Sequence, residues 1–367
     1  MIRFASRTLK PMILLLVFGI VIVTKDYCLS YLVNRNELFA NLSFLFGFVS
    51  KLFSGILECF MRKSFKKSIK QTSPLTCKDY FFYALIIIIE ILVLSQVITL
   101  RNLAKFYTLN YLILPVFASI QIFFICIFSF FILKYKFGNH KKTGLIITII
   151  GIIPIMIKYI DFDYKNEHIR AIIFISILIV FKALTEVLIK YLLLIKNQSP
   201  YLLLFITGIP QSIILTILFF IFLPNNNKHQ IDYKIILMLI WSIISQVLFH
   251  YTRIAINFKY TPSHKIVSDF LGLISSSIVL LIFPLKSKQL NFNLSLALEI
   301  NGYIICLIGS MIYNEIIIIS VWNLDKDTAE GIKRRALYEE IEDADILKIE
   351  VDKSKQKIIE KLLNEDE

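Results

Sequence analysis

Charged residues lie inside otherwise apolar stretches of this 367-residue chain, and helical spacing pairs most of them. Lys182 and Glu186 are one turn apart, within pairing reach on a helix, and Lys190 continues the row. Lys265 and Asp269 repeat that spacing. Lys51 and Glu58 are seven apart and share a helix face, and Glu58 also stands close to Arg62 and Lys63 at the end of its block. Glu90 is alone in a run of Ile and Leu. An ionisable group in hydrocarbon costs about 2.5–3.5 kcal/mol on insertion scales, so it faces a cavity or a partner. Lys51, Glu90, Lys182, Glu186, Lys265 and Asp269 are therefore the candidate cavity residues. Their chemistry is recognition of a small polar or anionic solute by charge.

Competing readings stay open at this point. Lys182 with Glu186 also suits a structural ion pair, with Lys190 snorkelling to headgroups. Glu58 suits an interfacial pair. His250 and Arg253 near the end of the eighth block, with Lys265, Lys51 and Lys182, are basic groups that could neutralise an anionic solute, and interfacial anchoring competes for Arg253 and Lys265. Glu90 fits a carboxyl kept neutral by desolvation, a proton-exchanging group, or the partner of a basic residue on another helix. Enzyme chemistry has no comparable signal: there is no P-loop, dinucleotide fingerprint, HExxH or GxSxG. The histidines (His140, His168, His229, His250 and His264) form no constellation with Asp or Ser. The sequence predicts no catalytic residue, no metal site and no cofactor. Cys28, Cys59, Cys77, Cys126 and Cys306 include no CxxC, lie mostly in or beside apolar blocks and read as reduced thiols packed as small apolar groups.

The elements that must position these groups are ten apolar blocks, each near the roughly 20 residues that cross a bilayer as a helix. They fall at 11–33, 38–60, 80–100, 109–133, 143–160, 170–194, 201–223, 233–256, 262–284 and 296–320. The first is interrupted by Lys25 and Asp26, which leaves a shorter helix with a polar end as its alternative. The second five blocks echo the first. Phe106-Tyr107-Thr108 and Lys259-Tyr260-Thr261 open corresponding runs, and Gly144/Gly151 match Gly302/Gly309. Each glycine pair is two turns apart on one face, a signal for close helix packing. Five spans per half is odd, so the halves face opposite ways. The prediction is an all-α membrane protein of ten transmembrane helices in an inverted five-plus-five repeat, with residues 1–160 and 165–320 as the two halves. A doubled bundle of this kind is the usual build of a secondary transporter, with its site between the repeats.

The chain is 57% hydrophobic, too apolar for a soluble domain of this length. Residues 321–367 hold 9 basic and 14 acidic residues, net −5, so 1–320 carry +18 of the whole-chain +13. That positive charge lies in short loops, which explains it by membrane orientation and not by nucleic acid. With the N-terminus cytosolic, inner segments hold 17 Lys and Arg against 11 outside, which places both termini in the cytosol. The charged stretch 321–367 is then a cytosolic tail, expected either as two short helices at Ala336–Lys348 and Ser354–Leu363 or as a partly disordered segment. The expected partners are the lipid bilayer and a small solute, with a homodimer and a cytosolic partner for the tail as further candidates. A non-transporting membrane scaffold that docks a partner through the acidic tail is the alternative function.

Four short stretches carry a family resemblance. These are Ala183–Tyr191, with an acidic residue before a basic one; Ser263–Asp269, with small or hydroxyl residues around a basic residue and an aspartate; Ile308–Glu315; and Leu324–Thr328. Together with the ten-block pattern they resemble the drug/metabolite transporter superfamily, in its solute carrier 35 branch and most nearly its F subgroup. The resemblance implies an EamA-like inverted repeat, transport by alternating access, a nucleotide-sugar-like solute and an endomembrane location rather than the plasma membrane. Asn110–Pro115, at the start of the fourth block, departs from it by holding neither the arginine nor the glycine common there.

Overall fold

The computed structural model describes residues 2–4, 9–35, 37–62, 75–99, 106–135, 137–157, 166–221, 232–282, 294–328 and 331–332. Among them ten long helices coincide with the ten apolar blocks: α1 (Leu9–Arg35), α2 (Glu37–Arg62), α3 (Cys77–Thr99), α4 (Phe106–Leu133), α5 (Asn139–Ile157), α6 (Asn166–Leu194), α7 (Pro200–Ile221), α8 (Tyr233–Lys259), α9 (His264–Ile282) and α10 (Leu294–Tyr313). The protein is mostly helical. Two of these helices, α7 and α8, are long and apolar enough to cross a membrane. The expected tail helices at 336–348 and 354–363 lie outside the described residues.

Helix α1 is continuous through Lys25 and Asp26, so the shorter alternative does not occur. Lys25 Nζ sits 4.3 Å from the centre of the Phe249 ring, a contact that offsets part of the cost of a cation within the block. Helices α4, α6 and α10 stop in the same way. Lys134, Asn197 and Glu315 take left-handed backbone angles just past them, and the next amide reaches back to a carbonyl of the last turn.

The surface is apolar where a soluble protein is polar. Phe60, Phe131, Phe220 and Ile56 are all well exposed, while Lys51, Glu186 and Lys265 are buried. Exposed apolar surface on this scale marks contact with an apolar environment.

The packing order is specific. Helix α5 runs along α10, and α2 along α7; α1 lies across α8 and α9, and α6 across α3 and α4. The α5–α10 contact explains the paired glycines. A Cβ at Gly309 would stand 2.5 Å from the Thr148 backbone nitrogen, and one at Gly151 would stand 2.7 Å from that of Cys306. Gly144 faces Gly309 and Tyr313, and Gly151 faces Gly302 and Cys306, so the two helices run antiparallel with backbones touching.

The described ends of the chain meet at one end of the bundle. Strand β1 (Ile2–Phe4) pairs antiparallel with β2 (Ile317–Ile319), with Ile2 opposite Ile319. The Ile319 amide donates to His140 Nε2 at 3.2 Å, and the Asn139 amide to Asp327 Oδ2 at 3.1 Å. Asp327 closes a 3-10 helix, Val321–Asp327. The segment after α10 is thereby tied to the start of α5.

Gly309→Val should cost on the order of 1–3 kcal/mol by overpacking the α5–α10 contact. Thermal unfolding in mild detergent reads this as a lower Tm, with Ile149→Ala on the exposed face of α5 as the control. Equal Tm for Gly309→Val and the parent would mean that the two backbones are not in contact.

Candidate functional site

Charged and amide groups from six helices converge at the middle of the bundle. Four polar residues of α8 recur at 246, 250, 253 and 257, which is helical spacing, so Gln246, His250, Arg253 and Asn257 share one face. Arg253 is the hub. Its Nη1 donates to Glu90 Oε1 of α3 at 2.7 Å, and its Nε to Glu186 Oε1 of α6 at 2.8 Å. The planar guanidinium fork suits two carboxylates at once, which an ammonium would not.

Each carboxylate has further donors. Glu90 Oε2 accepts from Lys51 Nζ of α2 and from Gln211 Nε2 of α7, both at 2.8 Å. Lys51 Nζ also donates to Gln211 Oε1 at 2.8 Å and lies 4.4 Å from the centre of the Phe48 ring. Gly208 permits this arrangement, because a Cβ there would stand 2.6 Å from that of Lys51. Glu186 Oε2 accepts from Asn257 Nδ2 at 2.6 Å. Lys265 Nζ of α9 is 3.2 Å from Glu186 Oε1 and 3.9 Å from Asp269 Oδ2. The first approach is an ion pair by distance but lies off the angle of a hydrogen bond, since Lys265 Nζ has no hydrogen-bond partner.

Beside the hub is a cavity of about 20 Å³, lined by Lys51, Glu90, Thr207, His250 and Arg253 together with apolar side chains of α3, α6, α7 and α8. Its size suits one water and no solute. In this conformation the centre is contracted, and Lys51, Glu90, Glu186 and Arg253 are held by one another.

Of the six residues singled out by sequence, five enter this network: Lys51, Glu90, Glu186, Lys265 and Asp269. Lys182 lies within electrostatic reach of Lys265, Asp269 and Glu186. It makes no ion pair with Glu186 among the described residues, so the turn-to-turn pair expected there is replaced by Arg253 and Asn257 on Glu186. Glu90 is a multiply paired residue and not a lone one. Arg253 is central, which matches its reading as one of the basic groups of the site and not as an interfacial anchor. Gln211 and Asn257 were missed; the signal for Asn257 was the stripe of polar positions on α8 four, three and four apart.

Two further residues meet at the end of the bundle where α6 stops. Glu58 is buried and accepts a 2.5 Å hydrogen bond from Ser199 Oγ. Lys190 does not snorkel. It is buried, and it donates to the backbone carbonyls of Asn257 at 2.8 Å and Phe258 at 3.3 Å, where the negative end of α8 stabilises a cation.

Asp79, which precedes the apolar run of α3, closes the same end. It accepts from Thr76 Oγ1 at 2.8 Å, from Tyr191 at 3.2 Å and from Lys196 at 2.8 Å. Burial alone would raise its carboxyl, but the hydrogen bonds from Lys196 and Thr76 outweigh it and hold the group at about 2. The Lys196 ammonium, in the loop after α6, is correspondingly raised by its hydrogen bond to Asp79.

Comparison with models of known protein families and with curated proteins finds no match.

Arg253→Ala should destabilise the protein by roughly 3–5 kcal/mol, because it strands two buried carboxylates. Adding Glu186→Gln should restore part of that loss, and a double-mutant cycle on Tm would read the coupling. Strict additivity would mean that Arg253 and Glu186 do not interact.

Asp79→Asn should lower Tm equally at about pH 5 and pH 8. A carboxyl depressed in the folded state stabilises at all pH above its unfolded value, near 3.9, and loses that contribution only as pH falls through the folded one. A penalty that grows between those two pH values would contradict the assignment.

Proposed function

We propose that the protein is a multi-pass membrane transporter of a small polar or anionic solute, built as ten transmembrane helices in an inverted five-plus-five repeat and working by alternating access. The observation that carries the reading is the meeting of Lys51, Glu90, Glu186, Arg253 and Lys265 at the buried centre of a bundle whose exterior is apolar. Groups that costly to bury inside apolar helices belong to a pathway or a site before they belong to a scaffold.

The packing order supports the repeat. Exchanging α1–α5 with α6–α10 turns the α1–α8 and α1–α9 contacts into α6–α3 and α6–α4, which are also made. The same exchange maps α5–α10 and α2–α7 onto themselves. Pairing of the segments before α1 and after α10 supports a common side for both, which is the cytosol on the loop charges.

Mechanistically, the cations are held by internal carboxylates while the centre is contracted. A solute anion takes over part of that role as one end of the bundle opens, and the displaced carboxylates re-pair as it leaves. The ion pairs are the exchangeable contacts, and the backbone-to-backbone α5–α10 contact is the fixed one. An endomembrane rather than plasma-membrane location goes with this reading, on the family resemblance.

Reconstitution in liposomes with a panel of nucleotide sugars, nucleotides and organic anions tests it. Saturable uptake or exchange of at least one of them is expected, with a drop of about tenfold or more in Glu90→Gln. If no solute of the panel crosses above the rate of empty liposomes, the transport reading fails.

A further inference from the structure

We propose that His140 makes the joint between the β1–β2 ribbon and the start of α5 an acid-released latch, closed while the ring is neutral and opened by a proton on Nε2. Nothing in it depends on the transporter reading above.

Strand β2 has two partners. It pairs with β1, and the Ile319 amide donates to His140 Nε2 at 3.2 Å. A ring nitrogen that accepts an N–H carries no proton of its own, so the neutral ring bears its hydrogen on Nδ1. His140 is 1% exposed, and its Nδ1 is buried with no hydrogen-bond partner. Protonation adds a hydrogen to Nε2, where it meets the Ile319 N–H. The acceptor is lost, two donors face each other, and a charge is buried with no acceptor bonded to either nitrogen. A charged ring and a closed joint therefore exclude each other.

The charged groups around the ring do not remove this conflict. Lys141 is its neighbour on α5, Glu315 lies just past α10, and Asp325 and Asp327 belong to the 3-10 helix; all four are within electrostatic reach of the ring. Glu315 pairs with Lys141 at 3.6 Å, and Asp327 Oδ2 accepts the Asn139 amide at 3.1 Å. Burial outweighs the pull of the three carboxylates, and the ring is held below its ordinary value of 6.5. His140 precedes the apolar block at 143–160, at the end of its helix that faces water. The unfolded chain binds this proton at a higher pH than the closed joint does. The joint is therefore at full strength above about 6.5 and weakens as pH falls below it. Once Ile319 has let go, the same carboxylates favour the charged ring, which stabilises the open form.

Opening reaches the helices of the centre. A two-stranded ribbon of three residues a side is marginal by itself, so losing its support on α5 also weakens the pairing of β1 with β2. Strand β1 precedes α1, and α1 lies across α8 and α9, the helices of Arg253 and Lys265. The latch thus sets how firmly the start of α1 is tied to the α5–α10 seam.

The test uses the full chain in mild detergent. Hydrogen exchange is read by mass spectrometry over 2–4 and 317–319 and corrected for the intrinsic effect of pH. From about pH 7.5 to about pH 5, protection there should fall about tenfold, while the seam around Gly144 and Gly309 stays protected. His140→Gln puts an amide oxygen in the place of Nε2, an acceptor that does not titrate, so its protection should be equal at both pH values. His140→Asn is too short to reach Ile319 and should lack protection at both. NMR of histidine-labelled protein follows the ring itself, with the His140 signal assigned by its absence from either variant. Its titration should coincide with the loss of protection in the parent. Equal protection of the parent at both pH values, or a ring that gains its proton without loss of protection, would overturn the assignment. So would a pH response that persists in His140→Gln, or a seam that opens together with the joint.

Discussion

The bridge from Arg253 to Glu90 and Glu186 is the interaction on which the rest of the interior depends. Each of those carboxylates would cost several kcal/mol if left unpaired among apolar side chains. One guanidinium serves both, and the remaining acceptor positions are taken by Lys51 and Gln211 on one side and by Asn257 on the other. This fixes helices α2, α3, α6, α7 and α8 relative to one another through a few polar atoms. A shift of any one of them by a turn would separate an ion from its partner.

A second constraint works without charge. Along α5 and α10 the close approach depends on having no side chain at Gly144, Gly151, Gly302 and Gly309. Such a contact has one good geometry and no alternative partners, whereas a salt bridge can exchange partners at little cost when the groups on offer are similar. On the proposed transport reading, the seam is the part that stays put and the ion pairs of the centre are the part that exchanges partners. The clasp of β1 with β2, together with the Asp327 and His140 hydrogen bonds, lies beside the start of α5 and so adds to the fixed part while His140 is neutral.

The sequence made the helices legible because apolar blocks separated by charged loops leave few other solutions, and all ten fell where the blocks did. It also exposed Lys51, Glu90, Glu186, Lys265 and Asp269, since a charge in such a block stands out. Partner choice was not legible. Spacing along a chain advertises neighbours at i+4, which pointed Lys182 at Glu186. The geometry across helices instead gives Glu186 to Arg253, a residue 67 positions away. Lys190 shows the same limit. Its acceptors are backbone carbonyls at the end of α8, and no residue type encodes those. Arg253 stayed between a site and an interface for a related reason. Its nearness to the end of its own block suggested an interface, but depth in a bundle is set by how the neighbouring helices are staggered.

The proposed repeat also accounts for where the two halves agree and where they differ. Under that exchange α2 corresponds to α7, α3 to α8, and α5 to α10. Groups that meet across a pseudo-two-fold axis would be copies of each other if the halves were identical. Copies serve a glycine seam well, since small residues pack best on small residues, and that is where the sequence echo is plainest. Copies serve a charged centre badly, because a lysine would face a lysine and a glutamate a glutamate, with mutual repulsion in a medium that screens little. At the centre Lys51 of α2 meets Gln211 of α7, and Glu90 of α3 meets Arg253 of α8. The halves therefore diverge in chemistry where they must attract and stay alike where they must only fit. Under this constraint internal symmetry is expected to fade first at the functional centre of such a bundle.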